Sequence, residues 1–354
     1  MSTGPVDLSG GLSCPIPITD YRNVLLAHGG GGRLSQQLIE KFFRSQFSNP
    51  YLDILHDGAV FPVEEGRLAF STDSYVVRPL FFPGGNIGEL AVYGTVNDLA
   101  MCGADPQFLS AGFIIEEGFP MEDLWKVVLS MQEAAKRAGV AVVTGDTKVV
   151  DRGKGDGVFI NTSGVGVVPP GVNISPRNAR PGDRILLSGR IAEHGIAIMS
   201  VRNGLEFETQ IVSDTAPLNG LAAAILAMPE PVHVLRDPTR GGVASALNEV
   251  AAAAHRGIEI MEELIPVAEE VQGACEILGF DPLYVANEGK LIAFVAPEHA
   301  ERVLGVMRAH PLGADAVDIG EVVAGHPGVV LMQSRIGGKR VVDMLSGEQL
   351  PRIC

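Results

Sequence analysis

Three observations predict two α+β domains and a loose C-terminal tail for this 354-residue chain. Strand-like and helix-like apolar patterns mix irregularly in both halves. The break Pro169-Pro170-Gly171 lies near the middle and leaves each half enough chain for its own core. From Ser346 onward the chain is mostly polar, opens on a turn pair and ends on a cysteine, so little packs it down. The expected divisions are a flexible N-terminus over 1–21, domains over 22–169 and 170–345, and a mobile tail over 346–354.

Taken in order, Leu34, Leu38 and Phe42 with Ile39, Phe43 and Phe47 keep helical spacing and predict a helix directly after a run of glycines. Tyr51 to Phe61 and Arg67 to Val77 read as strands around a turn at Glu65-Gly66. Asn86 to Met101 predicts a helix that packs through Ile87, Leu90, Ala91 and Gly94. Pro106 to Glu116 predicts a strand and Met121 to Ala138 an amphipathic helix. A strand over Val140 to Val143 ends in Thr144-Gly145-Asp146-Thr147-Lys148, and another runs from Gly157 to Val168. The second half predicts a strand at Arg184 to Ser188 and helices at Ala192 to Val201 and Leu218 to Met228. A short piece at Val232 to Leu235 leads to Asp237-Pro238-Thr239-Arg240-Gly241-Gly242 and a helix at Val243 to His255. A helix at Glu269 to Leu278, a segment Leu283 to Val295 holding Asn287-Glu288-Gly289-Lys290, a helix at His299 to Ala309 and two strand-like pieces complete the domain.

Composition removes several classes of function. At 46% hydrophobic and 19% charged the chain suits a folded protein rather than a disordered one. A net charge of −15 without a basic run disfavours nucleic acid. The N-terminus lacks a basic start followed by an apolar run, and no stretch is apolar for long enough to cross a bilayer, so a cytoplasmic protein without membrane contact is expected. Cys14, Cys102, Cys275 and Cys354 form no CxxC pair and read as reduced thiols, with Cys102 and Cys275 in apolar helical settings.

The chemistry concentrates in loops. Four glycines, Gly29, Gly30, Gly31 and Gly32, stand between His28 and Arg33 at a helix start. Unshielded backbone N–H groups and the helix dipole make this a phosphate cradle, although it is neither a Walker A loop nor a dinucleotide fingerprint. Asp57, Asp73, Asp98, Asp146 and Asp237 each stand at an element end or beside Gly, Asn, Ser, Thr or Pro. One such acid is a cap or turn residue; five that converge are hard oxygen ligands suited to Mg2+ on phosphates. With Lys148 they describe phosphoryl transfer from Mg–ATP. Cys354, last in the chain, puts a thiol on an arm able to carry a covalent group into such a site.

In their order along the chain, His28-Gly29-Gly30-Gly31-Gly32, Asp57-Gly58, Ser71-Thr72-Asp73, Gly94-Thr95-Val96-Asn97-Asp98, Gly145-Asp146-Thr147-Lys148, Asp237-Pro238-Thr239-Arg240-Gly241-Gly242 and Asn287-Glu288-Gly289 resemble the superfamily of aminoimidazole ribonucleotide synthetase and selenophosphate synthetase. Pro351-Arg352-Ile353-Cys354 narrows the resemblance to its HypE family of hydrogenase maturation proteins. The match runs from about residue 22 to the end.

The resemblance implies a two-domain PurM-like fold, an α+β homodimer whose N-terminal domains pair into a strand barrel, and ATP in a cleft between domains. It implies an ATP-dependent carbamoyl dehydratase. The carbamoyltransferase HypF loads Cys354, the thiocarbamate is dehydrated to a thiocyanate, and the cyanide passes to iron on a HypC–HypD complex. It extends the nucleotide contacts of the glycine run to Asn97 and Thr147 and makes Glu288 and Lys148 candidate bases. Two other readings stay open at this point: a small-molecule ATP-dependent synthetase or kinase with an incidental tail, and a nucleotide-gated carrier that does no chemistry on its cargo.

Overall fold

The computed structural model describes residues 32–38, 40, 54, 56, 59–63, 66–204, 211–228, 232–347, 350 and 352–354. His28, Gly29, Gly30, Gly31, Asp57 and most of the helix expected after the glycines lie outside them.

The N-terminal half builds a five-stranded sheet in the order β1-β2-β7-β5-β6, from β1 (Ala59–Val63), β2 (Gly66–Tyr75), β5 (Asp105–Glu116), β6 (Ala141–Val150) and β7 (Val158–Val168). A two-stranded hairpin, β3 (Phe81–Phe82) with β4 (Gly85–Asn86), stands apart from it. Short α1 (Arg33–Leu38) precedes the sheet, while α2 (Ile87–Met101) and α3 (Met121–Ala138) cover it. Only β5 and β6 pair in parallel, as the α3 crossover between them requires. Along β7 buried residues alternate strictly with less buried ones, as expected of a sheet with one covered face.

The helix α2 departs from the one-sided packing read from its sequence. Almost every residue of it is buried, including Thr95, Asn97 and Ala100. It is apolar or small on all sides, and two layers enclose it. One side packs on the N-terminal sheet through Leu90, Val92 and Val96, while Ala100 and Met101 join Leu186, Leu218, Leu221 and Ile225 of the second half. Burying a Leu or Ile side chain is worth about 1.5–3 kcal/mol, so this shared packing ties the halves together strongly.

The C-terminal half is a seven-stranded sheet in the order β14-β13-β10-β12-β8-β11-β9. Its strands are β8 (Arg184–Leu187), β9 (Val232–Arg236), β10 (Gly257–Met261), β11 (Ile292–Val295), β12 (Val317–Val323), β13 (Val330–Gln333) and β14 (Lys339–Val342). The helices are α4 (Glu193–Asn203), α5 (Asn219–Leu226), α6 (Gly242–Ala254), α7 (Glu269–Leu278) and α8 (Ala300–Ala309). Strand β10 was not expected from the sequence; its five residues pair with both β12 and β13. The segment Leu283 to Val295 is a strand only from Ile292; before it the Tyr284, Val285 and Asn287 amides bond carbonyls of turns and of Pro238, and the Glu288 and Leu291 amides donate to the Asp214 and Ser188 side chains. No helix of the described residues is long and apolar enough to cross a membrane.

Candidate active site at the docked C-terminus

Strand β2 brings Asp73 and Tyr75 to the helix-covered face of the N-terminal sheet, two residues apart as the period of a strand demands. Asp98, near the end of α2, accepts a hydrogen bond from the Ser71 hydroxyl at 2.6 Å. The Tyr75 hydroxyl is buried among these acids without a well-formed hydrogen bond, although Thr95 and Asp73 lie near enough to interact with it. Burial, then Asp73 and Asp98, push its phenol well above the usual range. Gly94 is required here, since a Cβ on it would stand 2.2 Å from the Tyr75 oxygen.

The second half supplies Glu288, Asp214, Asp237 and Arg240. Asn287 locks the turn that carries Glu288. Its Nδ2 donates to the Pro238 carbonyl at 2.8 Å, and its Oδ1 accepts from the Ala192 amide at 2.7 Å. The Glu288 amide donates to Asp214 Oδ1 at 3.0 Å, and Lys290 lies 3.1 Å from both Asp214 and Glu193. A Cβ on Gly289 would meet the Asp214 carbonyl oxygen at 1.8 Å, so backbone here approaches backbone as only glycine allows. Glu288 is 4% exposed. Burial first, then the charges of Asp214, Asp237 and Asp73, raise its carboxyl well above the usual range, and Arg240 only partly opposes them. Asp73 is raised in the same way, by burial against the opposing charge of Arg240. Arg240 itself keeps an exposed side, although Cys354, Asp73, Glu288 and Tyr75 surround it and hold its guanidinium firmly charged.

Into this cluster comes the chain's own end. The Val76 amide donates to a main-chain oxygen of Cys354 at 3.1 Å and the Arg78 amide to the Arg352 carbonyl at 3.2 Å, so the tail runs antiparallel to the segment that follows β2. Ile353 is 3% exposed and packs in the core that holds Ile198 and Ala286. His194 Nε2 bonds the Ile353 carbonyl at 2.9 Å, with its Nδ1 on Ser213 at 2.7 Å. Cys354 is half-buried as a residue, and burial pushes its thiol up to about 12 despite the lowering effect of Arg240. Glu288 and Asp73 add to the rise. A thiol so held is protonated at neutral pH.

The residues singled out in the sequence therefore separate into groups. Asp73, Asp98, Asp237, Glu288 and Cys354 converge. Asn97, expected at the nucleotide, is 1% exposed; it donates to the Ala216 carbonyl at 3.1 Å and accepts from the Leu218 amide at 2.7 Å, joining the two halves. Gly32 is buried, and a Cβ on it would stand 2.1 Å from the Leu345 carbonyl, which sets the end of the glycine run against the base of the tail. Gly145, Asp146, Thr147 and Lys148, expected at the end of a short strand, lie within β6, which runs on to Val150.

Asp146 and Lys148 do not join the cluster within one chain. Register pairs Asp73 with Thr162, Thr162 with Ala111 and Ala111 with Gly145. Asp146 is thus three strands from the Asp73 column, roughly 14 Å at the usual spacing, and aligned with Gly112 on the uncovered face. Lys148 pairs instead with Asp146, at 2.6 Å, both exposed. Among the described residues no three His, Cys, Asp or Glu side chains are grouped to hold a metal ion. Tyr75, Asp214 and His194 were not singled out in the sequence, since each gains its role only from what folds onto it. Arg240 was visible within its Gly-flanked motif but without an assigned part.

Both halves of the chain are similar to known proteins. Residues 55–168 match the profile of AIR synthase related protein, N-terminal domain, and residues 180–332 that of its C-terminal domain. Carbamoyl dehydratase HypE of Azotobacter vinelandii is 58% identical over 337 residues, covering 95% of this chain and 99% of the relative. The protein of the same name from Escherichia coli K12 is 50% identical over 337 residues, covering 94% and 99%. A solved HypE in complex with ATP superposes with a TM-score of 0.80 at 49% identity, covering 94% of this chain and all of that one. A HypE chain from a HypE–HypF complex gives 0.83 at 52%, covering 87% and 99%. Thiamine monophosphate kinase of Aquifex aeolicus, at 19% identity and a TM-score of 0.63, shares the fold alone. With both halves matched and identity above half along nearly the whole length, this chain belongs to the HypE family of carbamoyl dehydratases.

Proposed function

We propose that the chain uses ATP to dehydrate an S-carbamoyl group on Cys354 to a thiocyanate, supplying the cyanide ligands of the iron in nickel–iron hydrogenases. The observation that carries this reading is the seat of the terminal cysteine, among Glu288, Asp73 and Arg240 at the seam of the two halves. The names of its relatives, and the solved relatives in complex with ATP and with HypF, support it.

Hydroxide is a poor leaving group, so an amide oxygen must be activated before it departs. ATP supplies the phosphoryl group that lets this oxygen leave on phosphate. The carbamoyl nitrogen loses its two protons, the carbon–oxygen bond breaks, and S–C≡N remains on the tail with ADP and phosphate released. Glu288 is proposed as base, because a raised carboxyl pKa suits proton transfer near neutral pH. Lys148 is the second candidate. The side chains of Asp73 and Asp98 fit a magnesium ion in kind, as Mg2+ commonly takes one or two carboxylates and completes its shell with phosphate oxygens and water. Asp57 and Asp237 are further candidates. The glycine run from His28 to Gly32, with Thr147, is proposed for the phosphates.

The proposal includes a homodimer. The uncovered face of the N-terminal sheet exposes Phe70, Phe108 and Ile114, and the edge strand β6 exposes Val142, Val143 and Val149, apolar residues that pairing of two sheets into a barrel would cover. Such pairing is also what would bring Asp146 and Lys148 of one copy towards the site of another. Phe108→Asp with Val143→Asp is expected to shift the protein from dimer to monomer in sedimentation, with dehydration lost; a dimer that persists unchanged removes this interface. HypF is proposed as the source of the carbamoyl group and a HypC–HypD complex as cyanide acceptor.

The test is mass spectrometry of the C-terminal peptide after carbamoylation by HypF, with and without Mg–ATP. Loss of one water from the Cys354 adduct only on ATP hydrolysis is expected. ATP turnover with the adduct intact would instead favour a small-molecule synthetase.

A further inference from the structure

The bonds that hold the tail are mostly to backbone and so say little about which tail residue sits where. The Val76 and Arg78 amides would donate to any main-chain oxygen, as to any peptide added to a sheet edge. A slip of the tail along this edge would carry another residue to the acidic cluster in place of Cys354. The register must therefore come from side chains: buried Ile353 contributes through packing, and Arg352 through directional bonds.

Among the described residues of the tail, Arg352 is the one whose side chain makes directional bonds across the seat. Its Nε donates to the Val76 carbonyl at 3.0 Å, taking the acceptor that a ladder partner would use. Its Nη1 is ion-paired with Asp156, in the turn between β6 and β7. Arg78 stands 3.5 Å from the same carboxylate. The Arg352 carbonyl accepts from the Arg202 guanidinium, on α4 of the other half, as well as from the Arg78 amide. Arg202 also donates to the Arg78 carbonyl, closing the frame. Residues of both halves thus converge on Arg352, two positions from the thiol. Its backbone lies in the left-handed region, φ +52°, which few non-glycine residues adopt without such support.

We infer that Arg352, gripped by Asp156, is the latch of the tail: it sets the register that brings Cys354 to Glu288 and Asp73, and it opposes the exit of that cysteine to solvent. This inference rests on the proposed dehydration only for what the seated cysteine does there. The latch itself concerns docking. Arg352 and Asp156 are positioning residues, acting through the cysteine. Loading by an outside transferase needs the tail undocked, and dehydration needs it docked, so weakening the latch has opposite effects on the two steps.

Asp156→Asn tests this without altering the tail that a partner must recognise. Asp156 lies in a surface turn, and its side chain is 36% exposed. The pair is therefore screened, and an effect of about five- to tenfold is expected rather than the full strength of a buried one. Cys354 in the intact protein, with no partner or nucleotide, should react with iodoacetamide about five- to tenfold faster in the variant, read by mass of the C-terminal peptide. Asp156→Glu should restore most of the protection, and salt should speed the wild type towards the variant. Carbamoyl loading should rise while dehydration per loaded tail falls. An alkylation rate unchanged in Asp156→Asn overturns the latch, as does protection that Asp156→Glu fails to restore. If alkylation responds as expected but no loaded tail, wild type included, ever loses water, the latch stands and the dehydratase reading falls.

Discussion

Glu288→Gln is expected to slow dehydration of the loaded tail about a thousandfold, within the range in which a positioned general base acts. Carbamoylated protein should accumulate, while ATP binding stays within about threefold, because the amide keeps the size of the side chain and the backbone bond to Asp214 is unaffected. The wild-type rate should rise with pH through the raised pKa of Glu288, since only the ionised carboxylate takes a proton, and this limb should vanish in the variant. Stability should move the opposite way. A carboxyl whose folded pKa is raised contributes stability that is full below its unfolded value, about 4.3, and is lost as pH rises through the folded value. Glutamine removes that loss, so the variant should unfold at an equal or higher temperature at neutral pH. Asp73, raised in the same sense, keeps its own pH dependence. Rapid single-turnover dehydration by Glu288→Gln would move the base role to Lys148.

Cys354→Ala should abolish formation of the tail adduct and of thiocyanate altogether, since no other described residue occupies that position. The fold should hold. The loss is one sulfur from a half-buried terminal residue, while Ile353 and the bonds to Val76, Arg78 and His194 remain. Circular dichroism and ATP titration should match the wild type. A variant that still forms product from ATP would show that the tail is incidental. Retained ATP hydrolysis without any tail adduct would place the phosphoryl acceptor elsewhere.

Much of this was legible in the residues. The motifs at Asp73, Asp98, Asp237 and Glu288 stand near the ends of elements or in the loops beside them, which made them candidates from the sequence. The reading failed where a residue's setting depends on a distant partner. Helix α2 read as one-sided, because its periodicity records only what is apolar, and not that two layers enclose it. Nor was there any sign in the sequence that the Asn97 amide serves the Ala216 carbonyl and the Leu218 amide, more than a hundred residues away. Asp214 carries no motif, and its part comes from the Glu288 amide and Lys290.

By itself the sequence determined the family, the class of fold, the residue types of the chemistry and the fact that a thiol ends the chain. These depend on local order, on glycines, prolines and short motifs that keep their meaning wherever they fold. Only the tertiary structure decided which acids meet, that Asp146 and Lys148 stand on the other face of the sheet, and that the tail docks along the segment after β2 with Arg352 on Asp156. Strand register and domain packing decide such matters, because they join positions that no nearby stretch of chain connects.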